Sequence, residues 1–281
     1  MTGEVMTKQK ALSVACEMAQ KFGFVSRRIV WKHLTFEGRA SKFKYWLFLK
    51  KASELAPYKS GVVFNHHLVL SSEYRKSLGE GTAVSNRSSI YFEHDEYLMD
   101  ILLSIRSAGV IAEYWTEQEL KMDRVLAMQT MGGVPDAKIP DLIFDLTTGR
   151  GAIRVAIEIE RTRKSQRRYR LVQWGYSRLR RIDLLLFGVV DSGTEAVIRQ
   201  EFDTATFSSD KRSIGYFTLN EFAKSGLASE LRIRGKRPQL QDFLKRVCGD
   251  AWKEPSASRR QIGDKLEISV SSENEKTLEA N

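Results

Sequence analysis

Three acidic side chains stand in or beside stretches that otherwise read as apolar strands. Asp141 follows Pro140 and opens the run 142–146, while Glu158 and Glu160 close the run beginning at Ile153. Charged groups are seldom fully buried unless they are paired or bind metal. Glu158 and Glu160 are two residues apart, so a strand points both to one face, and Asp141 on the neighbouring strand reaches that face. Three carboxylates at a strand edge form a hard-oxygen donor set suited to Mg²⁺ or Mn²⁺. From Arg161 to Arg181 the chain carries nine Lys or Arg and no acid. A carboxylate cluster beside a phosphate-attracting helix points to metal-assisted chemistry on nucleic acid.

The elements that must position these groups follow from pattern. Residues 142–146 and 153–159 flank Thr-Thr-Gly-Arg-Gly, which predicts a β-hairpin with Gly149 and Gly151 at positive φ. A helix is expected to start at Thr162 or Ser165 and run to about Arg180, with Tyr169, Leu171, Val172, Tyr176 and Leu179 facing inward. Upstream, a helix opens at Glu93 or His94 and runs to about Ala108, after a short strand at 90–93. A strand at 110–115, a short helix at 117–126 and a loop at 128–137 lead into the hairpin. Downstream, the almost wholly apolar 182–190 predicts a strand covered on both faces. A helix at 194–202, a strand at 214–219, a basic loop at 231–238 and a helix at 240–252 complete this part.

Residues 1–80 read differently. Three short helices are expected near 7–22, 27–34 and 41–54, then a strand at 62–70 and a further short element at 72–78. This is the winged-helix outline, whose third helix enters the DNA major groove. Here that helix carries Lys42, Lys44, Lys50 and Lys51 and follows Arg39. The segment has a net charge of +8, most of the +10 carried by all 281 residues, whose pI is near 9.5. Such a balance favours a polyanionic partner. The bland alternative is a solvated lysine face on a small helical unit.

The expected organisation is a winged-helix DNA-binding domain at 1–80, a polar linker at 80–89, an α/β domain at 90–252 and a disordered tail at 253–281, with a short strand conceivable at 266–270. Cys16 and Cys248 are too far apart in sequence for a ligand pair and read as buried thiols in a reducing, cytoplasmic setting. His33, His66 and His67 match no metal-ligand spacing and read as packing or surface groups. The first ten residues lack the apolar core of a signal peptide, and no run of 18 apolar residues argues for membrane insertion.

The order helix, three strands, helix, strand, with Pro140-Asp141 on the second strand and Glu158-Ile159-Glu160 on the third, resembles the PD-(D/E)xK nuclease superfamily, the restriction-endonuclease-like αβββαβ fold. A closer resemblance over most of residues 1–220 is to the plasmid replication-relaxation family and the related MobC-type mobilisation relaxases. It is carried by His94 with Asp100 six residues later, Trp115 before a Glu-rich segment, Pro140-Asp141, and Glu158-Ile159-Glu160-Arg161. The resemblance implies a winged helix joined to a nuclease-like domain, and a sequence-specific nickase acting at a transfer origin on double-stranded DNA alongside accessory mobilisation proteins. It implies Asp141 and Glu158 as metal ligands, and Glu160 as a further ligand or water-orienting group. Lys164 or Arg161 would stand near the scissile phosphate, and His94 would reach in from the first helix. Arg161, Arg163, Arg167 and Arg168 would contact the DNA backbone. The superfamily's usual lysine position is Glu160 here, so either a nearby cation replaces it, carboxylates act alone, or the site is degenerate. The competing readings are a non-catalytic replication or transcription regulator with a nuclease-like scaffold, and an endonuclease making double-strand breaks.

Overall fold

A computed structural model describes residues 7–34, 39–58, 66–79, 91–132, 138–202 and 213–253. The protein is mixed α/β, with helices around a six-stranded mixed sheet and a smaller three-stranded sheet near the N-terminus. The expected linker at 80–89, the strand at 266–270 and the tail beyond Lys253 lie outside the described residues.

Helix α1 (Lys8–Phe22) is capped by the Thr7 hydroxyl, which accepts from the Lys10 N–H, and it stops at Gly23, whose φ of 84° only glycine adopts readily. Strand β1 (Val25–Ser26) leads straight into α2 (Arg27–His33), capped by Ser26. Helix α3 (Arg39–Lys51) ends three residues before its expected limit. Strands β2 (Leu55–Pro57) and β3 (His67–Leu70) pair antiparallel, and β1 adds to the other edge of β3, giving the order β1-β3-β2. The element at 72–78 is helical, α4 (Ser72–Ser77).

Helix α5 (Phe92–Arg106) takes up the last residues of the strand expected at 90–93. Its first ring, Phe92, stacks 4.2 Å from Phe24 and meets His67 and Tyr58 at 4.5 and 4.9 Å. One apolar cluster therefore runs from α1–α3 through α5 to one face of the large sheet.

Strand β4 (Ile111–Thr116) is followed by two helices, not one: α6 (Glu117–Met122) and α7 (Arg124–Met131). Asp123 separates them and caps the second by accepting from the Leu126 N–H at 2.9 Å. Residues 128–131, expected in a loop, complete α7, because Gly132 at φ 61° supplies its left-handed stop.

The hairpin is present as β5 (Leu142–Thr148) and β6 (Gly151–Glu160), paired from Thr148–Gly151 to Leu142–Ile157. Of its two turn glycines only Gly151 has positive φ (127°). Helix α8 (Gln166–Ser177) crosses to β7 (Leu184–Val189), which runs parallel to β6 and is buried at every position. Helix α9 (Ser192–Phe202) crosses to β8 (Ser213–Thr218), again parallel. Helix α10 (Leu219–Ser225) precedes β9 (Arg232–Ile233), a two-residue edge strand inside the expected basic loop. Helix α11 (Leu240–Cys248) packs back against the sheet.

Sheet order is β4-β5-β6-β7-β8-β9. Side-chain alternation splits the sheet between two cores. Leu142, Phe144, Val155, Ile157 and Ile159 face the α5 side, whereas Ile143, Ala156, Leu185 and Phe187 face α7, α8 and α9. Glu158 and Glu160 share the parity of Ala156, so they belong to the α8 face.

Candidate active site

Asp141 is fixed at the mouth of β5 by three different elements. Its carbonyl accepts from the Glu117 N–H at the start of α6 at 3.0 Å. Its Oδ2 accepts from the Ile159 N–H of β6 at 2.8 Å and lies 3.1 Å from His94 Nε2 on the first turn of α5. His94 Nδ1 lies 2.9 Å from Asp95 Oδ1, so the ring bridges two carboxylates. Burial opposes the charged imidazole, yet the hydrogen bonds and charges of Asp141 and Asp95 outweigh it and raise His94 to about 10. Both ring nitrogens then act as donors.

Glu158 is 2% exposed. Its Oε1 lies 2.8 Å from Lys138 Nζ and accepts the hydroxyl proton of Tyr176. Burial and the charge of Asp141 push its carboxyl above the usual range, and Lys138 and Tyr176 only partly offset them. Asp141 goes the other way: burial is outweighed by His94, Lys138 and the Ile159 N–H, which hold it well below its ordinary value. Two buried carboxyl groups with opposed protonation preferences thus share one neighbourhood.

Glu160, also buried, is held by Lys164 Nζ at 2.6 Å, and burial raises its carboxyl against the pull of that lysine. Arg161 turns away to Glu93. Neither Glu158 nor Glu160 pairs with Arg154, which clamps Asp145.

Sequence reasoning missed Lys138. It falls just past the loop expected at 128–137, and what places it is Gly175 on α8: a Cβ there would stand 2.7 Å from Lys138 Cβ and 3.1 Å from its backbone nitrogen. The absent side chain lets the segment entering β5 lie against α8, and Lys138 reaches Glu158 from there. Its position three residues before Asp141 was the only signal in the sequence. Tyr176, expected inward, is fully buried and spends its hydroxyl on Glu158, which leaves it in a supporting position rather than a nucleophilic one.

A small cleft opens beside this group, lined by His94, Asp95, Leu98, Thr116, Glu117, Gln118 and Asp141, with Lys21 and Phe22 of α1 on its rim. Lys21 Nζ is anchored to Glu119 at 2.9 Å and to the Tyr114 carbonyl at 3.2 Å. The N-terminal elements therefore reach the edge of the cleft.

Asp100, paired with His94 in the motif, does not reach the site. Six helical residues turn through about 600°, so the two point to different faces. Asp100 is wholly buried against α2, with Lys32 and His33 each at 2.8 Å and Arg28 at 3.4 Å. Burial is outweighed by these partners, and its carboxyl falls to about 2. The α2–α5 contact also pairs Arg28 with Glu96 at 2.8 Å.

The basic residues divide by location. Lys44 and Lys51 are exposed on α3 and Lys42 and Lys50 half-buried, while the Arg39 side chain lies outside the described residues. Arg163, Arg167 and Arg168 are exposed around the start of α8. Cys16 and Cys248 are free, buried thiols.

No family model, curated protein or solved structure matches the chain. Among the described residues no helix is long and apolar enough to cross a membrane. Nor does any group of three His, Cys, Asp or Glu among them stand close enough to hold a metal ion. The donor chemistry of Asp141 and Glu158 suits a hard divalent cation. As they stand, each acid is occupied by a cation of the chain itself.

Proposed function

We propose that the protein is a DNA-binding nickase of the relaxase type that cleaves one strand at a plasmid or mobile-element transfer origin, on a PD-(D/E)xK-like core. The observation that carries this reading is the Asp141–Glu158 pair. It lies where an antiparallel β4-β5-β6 meander gives way to a parallel crossover through α8. The element order α5, β4, β5, β6, α8, β7, with α6 and α7 after the first strand, supports the reading. The α1, β1, α2, α3, β2, β3 order, with β1-β3-β2 pairing, supports a winged helix that would hold the duplex.

Asp141 and Glu158 are the residues that would hold Mg²⁺ or Mn²⁺, with Glu160 adjacent. A bound divalent ion would lower the pKa of a water and neutralise charge developing on the phosphate. The chain's own groups have separate tasks. Lys138 is the cation closest to the acid pair and takes the part expected of Lys164 or Arg161, because those two are engaged with Glu160 and Glu93. His94 fixes the Asp141 carboxylate, and Tyr176 orients Glu158. Purified protein should nick supercoiled plasmid carrying its transfer origin in Mg²⁺ or Mn²⁺, and Asp141→Ala or Glu158→Ala should abolish the nick. Undiminished nicking by both variants sinks the assignment; linear product would instead mark a double-strand endonuclease.

A second reading is a non-catalytic DNA-binding regulator on the same scaffold. One observation favours it: His94, Lys138 and Lys164 each neutralise one of the three acids. Metal-independent duplex binding without cleavage under any divalent ion would select it.

A further inference from the structure

Helix α8 carries a second feature on the side away from Glu158. Tyr169 and Tyr176, seven residues apart, face inward and are fully buried. The opposite side presents Arg167, Leu171, Trp174 and Arg178, at helical offsets of 0, 4, 7 and 11, which form one stripe. Leu171 is 62% exposed and Trp174 55% exposed. The guanidinium of Arg178 sits 4.5 Å from the centre of the Trp174 ring system. That contact seats a cation against an indole whose side chain otherwise stays largely in solvent.

An exposed tryptophan and leucine on a surface helix call for an occupant, and the charge selects which one. Around the stripe, residues 161–181 hold nine cations and no acid. Arg170 is drawn off to Glu201 at 3.1 Å, but Arg163, Arg167 and Arg168 stay exposed on the same helix and its approach. A basic surface with an open aromatic face is the pairing that binds unpaired nucleotides: the cations follow phosphates and the ring stacks a base. A duplex keeps its base faces hidden, so it would use the cations and leave the indole idle.

We propose that this stripe is a binding track for single-stranded DNA, with Trp174 as its stacking platform and Arg167, Arg168 and Arg178 along the backbone. It rests on the DNA reading above and deepens it, since Trp174, Gly175 and Tyr176 join the track to the acids in three consecutive residues. Gly175 packs on Lys138 and Tyr176 bonds Glu158. Opening or nicking a duplex yields an unpaired strand, and the track holds that strand beside the site.

The test uses the full chain in EDTA, so no cleavage is involved and its failure is distinct from failure of the nickase assignment. A fluorescein-labelled 12-nucleotide oligothymidylate is titrated by anisotropy, with a 12-base-pair duplex of mixed sequence as comparison. Trp174→Ala should weaken the single strand roughly 5- to 100-fold and Trp174→Phe by much less, while duplex affinity stays within about twofold. Intrinsic tryptophan fluorescence should be quenched by the oligonucleotide in the wild type and not in Trp174→Phe. Unchanged single-strand affinity in Trp174→Ala, or an equal loss for strand and duplex, overturns the proposal. So does an oligouridylate bound more tightly than the thymidylate. Trp174 is exposed, so a thermal melt matching wild type shows that the variant folds.

Discussion

Asp100, on α5, and Asp141, held by His94 of the same helix, are both buried, yet the two clusters they belong to are neutralised in opposite ways. Asp100 is a single carboxylate facing Arg28, Lys32 and His33, all from α2, and its pKa falls. Asp141, Glu158 and Glu160 face one cation each, and those cations come from α5, the segment before β5 and the segment before α8. Asp95 and Glu117 add further negative charge beside the cleft. The first cluster gathers several partners on one carboxylate and closes an interface. The second has fewer for each acid, so one of its acids resists ionisation. A buried site left short of positive charge is a site that a bound cation or a phosphate-positioning lysine can serve.

The comparison breaks first on activity. Asp141→Ala or Glu158→Ala should lower origin nicking by about 10²–10³-fold or more, whereas Asp100→Asn should leave the rate per folded molecule within a few-fold. Plasmid relaxation on agarose gels reads both. Equal losses would show that the two clusters are not different in kind.

Stability should order them the other way. Asp100→Asn should cost about 2–3 kcal/mol, because a buried, charge-assisted network loses its centre. The folded carboxyl is depressed, so its contribution is present above the ordinary carboxylate value near pH 4 and is lost as pH falls through about 2. Urea denaturation across that window should show a steeper acid loss in wild type than in the variant. Parallel curves would deny Asp100 this role.

Glu158→Gln should go in the opposite direction. Burial raises this carboxyl, so folding favours its protonated form, and the wild type loses stability as pH rises above the ordinary carboxylate range. The amide escapes that loss. The variant should match wild type near pH 5 and exceed it by about 1–2 kcal/mol near pH 8; a variant less stable at pH 8 would mean that the Lys138 pair outweighs burial.

Gly175→Ala should have the smallest effect. The added Cβ meets Lys138 at 2.7 Å, partly offset by the better helix propensity of alanine, for a net cost of about 1 kcal/mol. Because the displaced residue is Lys138, nicking should fall further than stability does, by about tenfold. A rate unchanged alongside lower stability would place Lys138 outside the site.

Much of the frame could be read from the sequence because it rests on period. The apolar runs around Gly151 predicted the hairpin, and the almost wholly apolar stretch 182–190 predicted a strand buried on both faces. The shared face of Glu158 and Glu160 on β6 was legible for the same reason, since alternation fixes parity. What escaped depended on tertiary approach. Lys138 gained its place from a missing side chain on α8, thirty-seven residues away in sequence. Leu171 was expected inward, but Tyr169 and Tyr176 set the buried face of α8 and leave Leu171 outside. Asp100 was grouped with His94 by motif, although helical geometry sends it to α2. The division of α6 from α7 turned on Asp123, whose capping role does not stand out in a polar stretch.

The clamp on Asp100 also sets a rule for recombination. A chimera that exchanged the N-terminal helices and small sheet through a junction at residues 80–90 would look like a clean modular swap. It would leave Asp100 without its three partners and Phe92 without its aromatic nest. The N-terminal unit can therefore be exchanged only when the matching face of α5 travels with it.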